Sequence, residues 1–201
     1  MTRTRLRGDS GQAFPIYITV VAGLLFLAFA YLAVGQAAAN RNGAQTAADA
    51  AALAAAQEFR DQLADQWVEN VLDPTKWQAI LDGEAPALTD PCGRAYELAA
   101  QNDATAECHE DGPRRYGVVA TTNKPVGDSI IPGTESMRST ATATAVVEPL
   151  CGFEPLGEGA ADDALPQLSC EGGDWTLDPD HLTQLPEPHD LFDVHLVADN
   201  A

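Results

Sequence analysis

Four cysteines are the residues whose type and spacing most directly predict chemistry in this chain. They stand at Cys92, Cys108, Cys151 and Cys170. An even number in an exported domain favours disulfides, and of three pairings the neighbouring ones, 92–108 and 151–170, are preferred because they close short loops. Each bridge would stabilise the fold by about 3 kcal/mol on the loop-entropy estimate. Zinc ligation is the rival interpretation, disfavoured because no Cys-x-x-Cys pair occurs.

Carboxylates and histidines are concentrated near the C-terminus. They are Asp178, Asp180, His181, Glu187, His189, Asp190, Asp193 and His195. Such residues could bind a divalent metal, and the Asp-rich part could bind calcium weakly. A solvated acidic tail in which the histidines fall by chance accounts for the same pattern and is the favoured interpretation, so we assign no metal and no cofactor.

The chain lacks the short motifs of common enzyme classes. It contains no GxSxG, HExxH, P-loop or GxGxxG pattern. Nucleophilic catalysis by a cysteine would need a free thiol of low pKa, and the predicted disulfides use all four. We therefore predict no catalytic residue and a protein that is not an enzyme.

An apolar segment at residues 14–34 precedes all of these groups. Between Asp9 and Arg41 no residue is charged, and 21 helical residues span roughly 30 Å, enough to cross a hydrocarbon core. Arg3, Arg5 and Arg7 precede the segment, whereas 29 of the 30 acidic residues follow it. This asymmetry predicts a cytoplasmic N-terminus and an extracytoplasmic C-terminal part. So acidic a surface repels phosphate backbones and makes nucleic acid an unsuitable partner.

Three interpretations of the apolar segment stay open. It is a retained signal anchor, a prepilin-like segment whose basic leader is removed after Gly11, or a secretory signal cleaved after the small residues Ala37 and Ala39. The third is disfavoured because ordinary signal peptides have an apolar run of roughly 7–15 residues.

The residues after the span predict a continuing helix. Residues 36–72 are rich in alanine and contain no proline, with Gly35 and Gly43 as weak points. Apolar residues, mostly alanine, recur at helical spacing along one stripe. Small residues let helices approach closely, so packing against a partner helix is favoured over an alanine-rich stalk without specific contacts.

Two stretches of this region resemble a known family. Residues 7–13 read RGDSGQA and residues 40–54 read NRNGAQTAADAAALA. In order and spacing they are similar to TadE/TadG-like proteins of the tight-adherence (Flp-type) pilus system, here of actinobacterial type, and the resemblance covers roughly residues 7–56.

The resemblance implies a membrane-anchored minor pilin or pilus-assembly component of a Tad/Flp pilus or secretion apparatus. Its expected partners are the lipid bilayer and pilin or pilus-assembly proteins, with self-association through the N-terminal helix. Gly11 and Gln12 would flank a leader-peptidase cut. The residues expected to pack against partner helices are Ala44, Gln45, Ala48, Asp49, Ala51 and Leu53.

Beyond residue 72 the pattern breaks into short elements. Asp73 and Gly83 bound a short predicted helix, a second is predicted at 92–102, and strands are predicted at 116–122 and 139–147. The second strand alternates strictly between threonine and apolar residues. Residues 149–167 read as a connector, followed by short strands near 175–177 and 191–198.

The predicted fold class is therefore α+β, with a long N-terminal helix and a small pilin-like head containing a few antiparallel strands. The expected regions are a cytoplasmic arm at 1–13, a transmembrane helix at 14–35, a helical extension at 36–72, a head at 73–150 and an acidic connector and tail at 151–201. Two other functions remain as alternatives: a secreted or tethered acidic module that binds cations or a basic partner, and a cell-wall stalk outside any pilus.

Overall fold

The first helix, α1, dominates the computed structural model, which describes residues 13–125, 136–157, 159 and 164–198. It spans Ala13–Glu69, 57 residues, or about 85 Å of helix. Alanine favours the helix, and Pro15 lies in the first turn, where its missing N–H costs no hydrogen bond. Neither Gly35 nor Gly43 interrupts it. At the C-terminal end of α1, the Asn70 side chain donates a hydrogen bond to the Gln66 carbonyl at 2.7 Å, so this carbonyl of the last turn has a partner within the helix end.

Two short helices follow, as the sequence predicts. A 3-10 turn at Pro74–Lys76 leads into α2 (Trp77–Leu81), and Gly83 then takes a φ of +85°. The Asp73 side chain accepts a hydrogen bond from the Thr75 hydroxyl and does not cap a backbone N–H. Helix α3 (Cys92–Gln101) buries Ala95 and Ala99.

A four-stranded antiparallel sheet forms the body of the head. Its strands are β1 (Ala104–Glu110), β2 (Arg115–Thr122), β3 (Thr140–Pro149) and β7 (Phe192–Val197), in the order β1-β2-β3-β7. A second, three-stranded antiparallel sheet consists of β4 (Cys151–Phe153), β5 (Leu168–Cys170) and β6 (Gly173–Trp175). A short helix, α4 (Pro188–Leu191), precedes β7 and carries a capping box between Glu187 and Asp190.

The core lies between α1 and one face of the larger sheet. Helix α1 packs across β3, β2 and β7, and α3 packs beside it. The facing strands present small and branched side chains in register, with Val118 opposite Ala143 and Tyr116 opposite Ala145. At the far end of α1 an aromatic group closes the core, Trp67 lying 5.4 Å from Trp77 between ring centroids. Small side chains on both surfaces let the helix lie close to the sheet.

Three features differ from the sequence-based expectations. Strand β1 lies between the predicted helix at 92–102 and the predicted strand at 116–122, where no element was predicted, so Cys108 lies in a strand. Strand β4 occupies the start of the predicted connector. Strand β7 pairs with β3, so the chain beyond residue 151 returns into the head and residue 151 marks no structural boundary.

The alternation of β3 holds only in its first half. Thr140 and Thr142 are exposed, whereas Thr144 and Val146, on the same face of the strand, are buried. Their partners across the β3–β7 ladder are Val197 and His195, both half-buried. Side chains directly opposite one another cover each other, so adding β7 removes the solvent face expected for a lone amphipathic strand.

Candidate membrane anchor and assembly surface

The N-terminal part of α1 is an exposed apolar cylinder. Its large side chains stand in the open, from Phe14 (71% exposed) to Tyr31 (84% exposed), and none of its most apolar window is buried within the chain. In a water-soluble protein such a surface would be strongly unfavourable, whereas lipid covers it without cost. By length and composition α1 is the one described helix able to cross a membrane, which indicates single-pass anchoring.

The polar groups of this segment suit a bilayer. The Thr19 hydroxyl donates to the Pro15 carbonyl at 2.8 Å, which pairs the hydroxyl within the helix. Tyr17 and Tyr31 stand near the two ends of the apolar run, where amphipathic rings favour the membrane interface. The basic arm and the predicted cut between Gly11 and Gln12 lie outside the described residues.

The alanine stripe of α1 is buried against the sheet of its own chain. Ala44, Ala48 and Ala51 are 0% exposed, and Ala48 and Ala51 belong to a core that also includes Ala120 and Ala145. We expected this stripe to contact partner helices. The methyl groups instead cover the head's own sheet, so these three side chains are not available to a partner while the head is folded.

The other residues assigned to packing have mixed surroundings. The Gln45 amide donates to the Asp49 carboxylate at 2.7 Å and, at 3.4 Å, to the Thr142 carbonyl on β3. Asp49 and Leu53 are half-buried. Gln45 therefore links α1 to the sheet although it is exposed, and both Gln45 and Asp49 have hydrogen-bond partners within the chain.

Asn40 is a contact residue that sequence analysis did not single out. Its amide donates to the Lys124 carbonyl and its oxygen accepts from the Thr122 hydroxyl, both at 3.1 Å. It thus fixes the end of β2 to α1 where the helix leaves the head. The available signal for its importance was its place at the start of the family-like stretch 40–54. Its partners could not be identified from sequence, because Thr122 and Lys124 come close to it only when the sheet folds against α1.

The cysteines form two disulfides, in the neighbouring pairing preferred from sequence. Cys92 on α3 is bonded to Cys108 on β1. Cys151 is bonded to Cys170 across β4 and β5, where the two residues stand opposite each other in register. The first bridge ties a helix to the sheet edge, and the second holds the small sheet together.

The C-terminal carboxylates and histidines are engaged in local contacts. Asp178 accepts hydrogen bonds from the Asp180 N–H (3.0 Å) and from His181 (3.1 Å), and these bonds lower its pKa. His195 contacts Asp193 at 2.7 Å on the same strand. Within the described part of the chain, no three such side chains converge as metal ligands would.

Comparison with known proteins supports the role of the N-terminal region. Residues 11–58 match the family model described as Flp pilus-assembly TadE/G-like, about a quarter of the chain. No curated protein and no solved structure matches the chain. The match points to a structural role and not to catalysis; an actinobacterial origin stays a prediction. The matched segment comprises the apolar span and the helix that docks on the head, and over these residues the chain is similar to the TadE/G-like proteins of Flp pilus assembly.

Proposed function

We propose that the protein is a membrane-anchored minor pilin or assembly component of a Tad/Flp-type apparatus. The observation that carries the proposal is the division of α1 into two parts. Its C-terminal part is buried in the head, whereas residues 14–39 are almost wholly exposed within the family-matched segment. The bilayer holds the protein before assembly, and the exposed part then packs against equivalent helices of partner pilins.

Small residues at the membrane-proximal end of α1 suit this packing. Gly35 and Ala39 are exposed and four residues apart, and a methyl group added at Gly35 would meet nothing within 4 Å. Among the described residues, Gly35 therefore serves no close contact, and Ala39 is open to solvent. Small residues at this spacing allow two helix backbones to approach, so this face replaces the buried Ala44, Ala48 and Ala51 as the proposed contact with a partner.

Leucine at both positions tests the contact. Gly35→Leu with Ala39→Leu should abolish co-purification of pilin partners from detergent-solubilised membranes, because the added side chains keep the helices apart. Ala37→Leu, on the opposite side of the helix, is the control and should leave co-purification intact. Equal recovery of partners with both variants would exclude this face as the contact.

The native N-terminus separates the two forms of the proposal. Mass spectrometry of the protein from the membrane fraction should find either Gln12 at the start or the intact arm with Arg3, Arg5 and Arg7. A start at Gln12 means leader-peptidase processing and a filament subunit. An intact arm means a permanent anchor and an assembly factor. A start at Asn40 would contradict membrane anchoring altogether.

A further inference from the structure

Basic side chains lie together at the end of the head from which α1 runs into the span. Eight Lys and Arg residues follow the span, and three of them are at this end: Arg41, Lys124 and Arg138. All three are exposed, as is Met137 beside them. These four residues are called the basal face. The rest of the head is strongly acidic, because 29 of the 30 acidic residues follow the span.

A hydrogen-bond network fixes the basal face to α1. The Asn40 amide donates to the Lys124 carbonyl, and its oxygen accepts from the Thr122 hydroxyl, both at 3.1 Å. The same hydroxyl accepts from the Ser139 N–H at 3.1 Å, which brings the neighbouring Arg138 to this end. The end of β2 and the start of β3 are thus joined to the helix at one place, so the basal face moves with α1.

This face lies close to the level of the lipid headgroups. The apolar run of α1 ends at Val34, and Asn40 lies about 9 Å further along the helix axis. The headgroup region of a bilayer is roughly 5–7 Å thick on each side of the hydrocarbon core. The Cα–Cβ bond of Arg41 is tilted toward the N-terminus of the helix, and therefore toward the membrane. The long stems of lysine and arginine cover the remaining distance.

The positive charges of the basal face are available to an external anion. No described residue forms an ion pair or a side-chain hydrogen bond with Arg41 or Arg138. Lys124 pairs with Asp103 at 2.8 Å, but these side chains are 76% and 71% exposed, so the pair contributes little and a phosphate can replace the carboxylate. Met137 is 57% exposed and adds an apolar group that suits the membrane interface.

We propose that the basal face docks on anionic lipid headgroups of the membrane that α1 crosses. A bilayer presents many phosphates, so the three cations do not need to converge on one point. The span holds them beside the lipid at a high effective concentration, and a small number of charges therefore suffices. Docking offsets the repulsion between an acidic head and an anionic surface, and it fixes the tilt of the head. The proposal rests on the anchoring of α1 and is independent of a role in pilus assembly.

Met137 is a native probe of this contact. The chain contains two methionines, so substitution Met137→Leu assigns its isotope-labelled methyl signal in an NMR spectrum. The full chain is placed in nanodiscs of phosphatidylcholine, with or without phosphatidylglycerol, that carry a spin-labelled headgroup. We expect the label to broaden the Met137 signal at least twofold more in the anionic nanodiscs, and the difference to shrink as salt rises. Equal broadening in the two lipids would overturn the proposal.

Paired charge variants locate the contact. Arg41→Gln with Arg138→Gln should reduce the broadening in anionic nanodiscs to the level in neutral ones. The control is Lys76→Gln with Arg94→Gln, which removes the same charge from exposed positions far from the span. Equal loss in both pairs would reduce the effect to net charge and exclude the basal face.

Asp103→Asn should have the opposite effect and increase the broadening in anionic nanodiscs, because it releases Lys124 from its carboxylate partner. Asparagine tolerates the φ of +54° at this position. Asp65→Asn, exposed on the part of α1 far from the span, removes the same charge and is the control. The same signal in both variants would contradict docking through this face.

Two other results would assign the face differently. Broadening that needs two copies in one nanodisc, whatever the lipid, would mean that the basal face binds the acidic head of a neighbouring copy and not lipid. A chain that enters neither kind of nanodisc would overturn the anchoring of α1 and this proposal with it. Insertion without any dependence on lipid charge would overturn the docking alone.

Discussion

At the scale of single residues, side-chain size decides what α1 can pack against. The buried stripe consists of methyl groups facing Ala143 and Ala145 on β3, so there is little room for a larger side chain on either surface. From the sequence alone, the same alanine stripe would fit against a partner helix equally well. Substitutions on it therefore report on the stability of the head before they report on assembly.

Ala48→Leu should destabilise the head by about 1–3 kcal/mol, because added methylenes in a packed core displace their neighbours. Thermal unfolding followed by near-UV circular dichroism measures the effect. Ala100→Leu, on the exposed side of α3, is the control and should change the midpoint little. A wild-type midpoint for Ala48→Leu would contradict the observed helix–sheet contact.

Asn40→Ala should cost about 1 kcal/mol, since it removes two side-chain hydrogen bonds between α1 and the end of β2. Asn42→Ala, an exposed position two residues further along the same helix, is the matched control. Chemical denaturation of both variants measures the difference. Equal stability of the two would mean that the Asn40 contacts contribute nothing net.

Tyr116 makes stability depend on alkaline pH. Burial raises its folded-state pKa above the ordinary value of 10, so above pH 10 the unfolded chain loses a proton that the folded chain retains. Stability should fall as pH rises past 10, by at most about 1.4 kcal/mol per pH unit from this group. Urea midpoints between pH 9 and 11 should fall less steeply for Tyr116→Phe than for the wild type. Parallel slopes would remove Tyr116 as the cause.

At the scale of elements, the two disulfides stabilise a head whose apolar core is small. Cys92 and Cys108 are 16 residues apart in the chain, and Cys151 and Cys170 are 19 apart, so each bridge restrains a loop of modest length. One joins α3 to β1 at the edge of the larger sheet, and the other joins β4 to β5. Sheet edges and three-residue strands have few neighbours, which is where a covalent link restricts most.

Replacing either cysteine pair with serine should lower stability by about 3 kcal/mol. Removing Cys92 and Cys108 should loosen α3 and β1, whereas removing Cys151 and Cys170 should loosen the small sheet and leave β1–β2 protected from amide exchange. Hydrogen exchange on the two double variants distinguishes the regions. The same exchange pattern in both would show that the head unfolds as one unit whichever bridge is lost.

At the scale of the whole molecule, charge and hydropathy are arranged along the helix axis. Three arginines precede the span, and most of the chain follows it. The whole protein has a formal net charge of −19, and 29 of its 30 acidic residues lie after the span. Basic residues beside a first span stay cytoplasmic. This supports an exported head, in keeping with its two disulfides.

An alkaline phosphatase fusion at the C-terminus tests this orientation, because that enzyme is active only after export. We expect an active fusion, with activity reduced severalfold when Arg3, Arg5 and Arg7 are replaced by glutamine, since the orientation signal is then lost. Immunoblotting for equal fusion protein is the control. An inactive wild-type fusion would place the head in the cytoplasm.

Much of this protein could be predicted from local sequence, because the relevant forces are local. An uncharged run of sufficient length predicts a helix able to cross a membrane, alanine continues it, and period-two alternation predicts β3. The even cysteine count with two short spacings pointed to the bridges that form. Strand β1 was missed because the apolar residues of its alternation, Ala104, Ala106 and Cys108, are small and give a weak signal. Strand β4 was missed because it is only three residues long.

Only the tertiary structure decided which surface the alanine stripe covers, since a row of methyl groups fits a neighbouring helix and the chain's own sheet equally well. The tertiary structure likewise decided the pairing partner of β7, which lies beside β3 in a sheet whose other strands come far earlier in the chain.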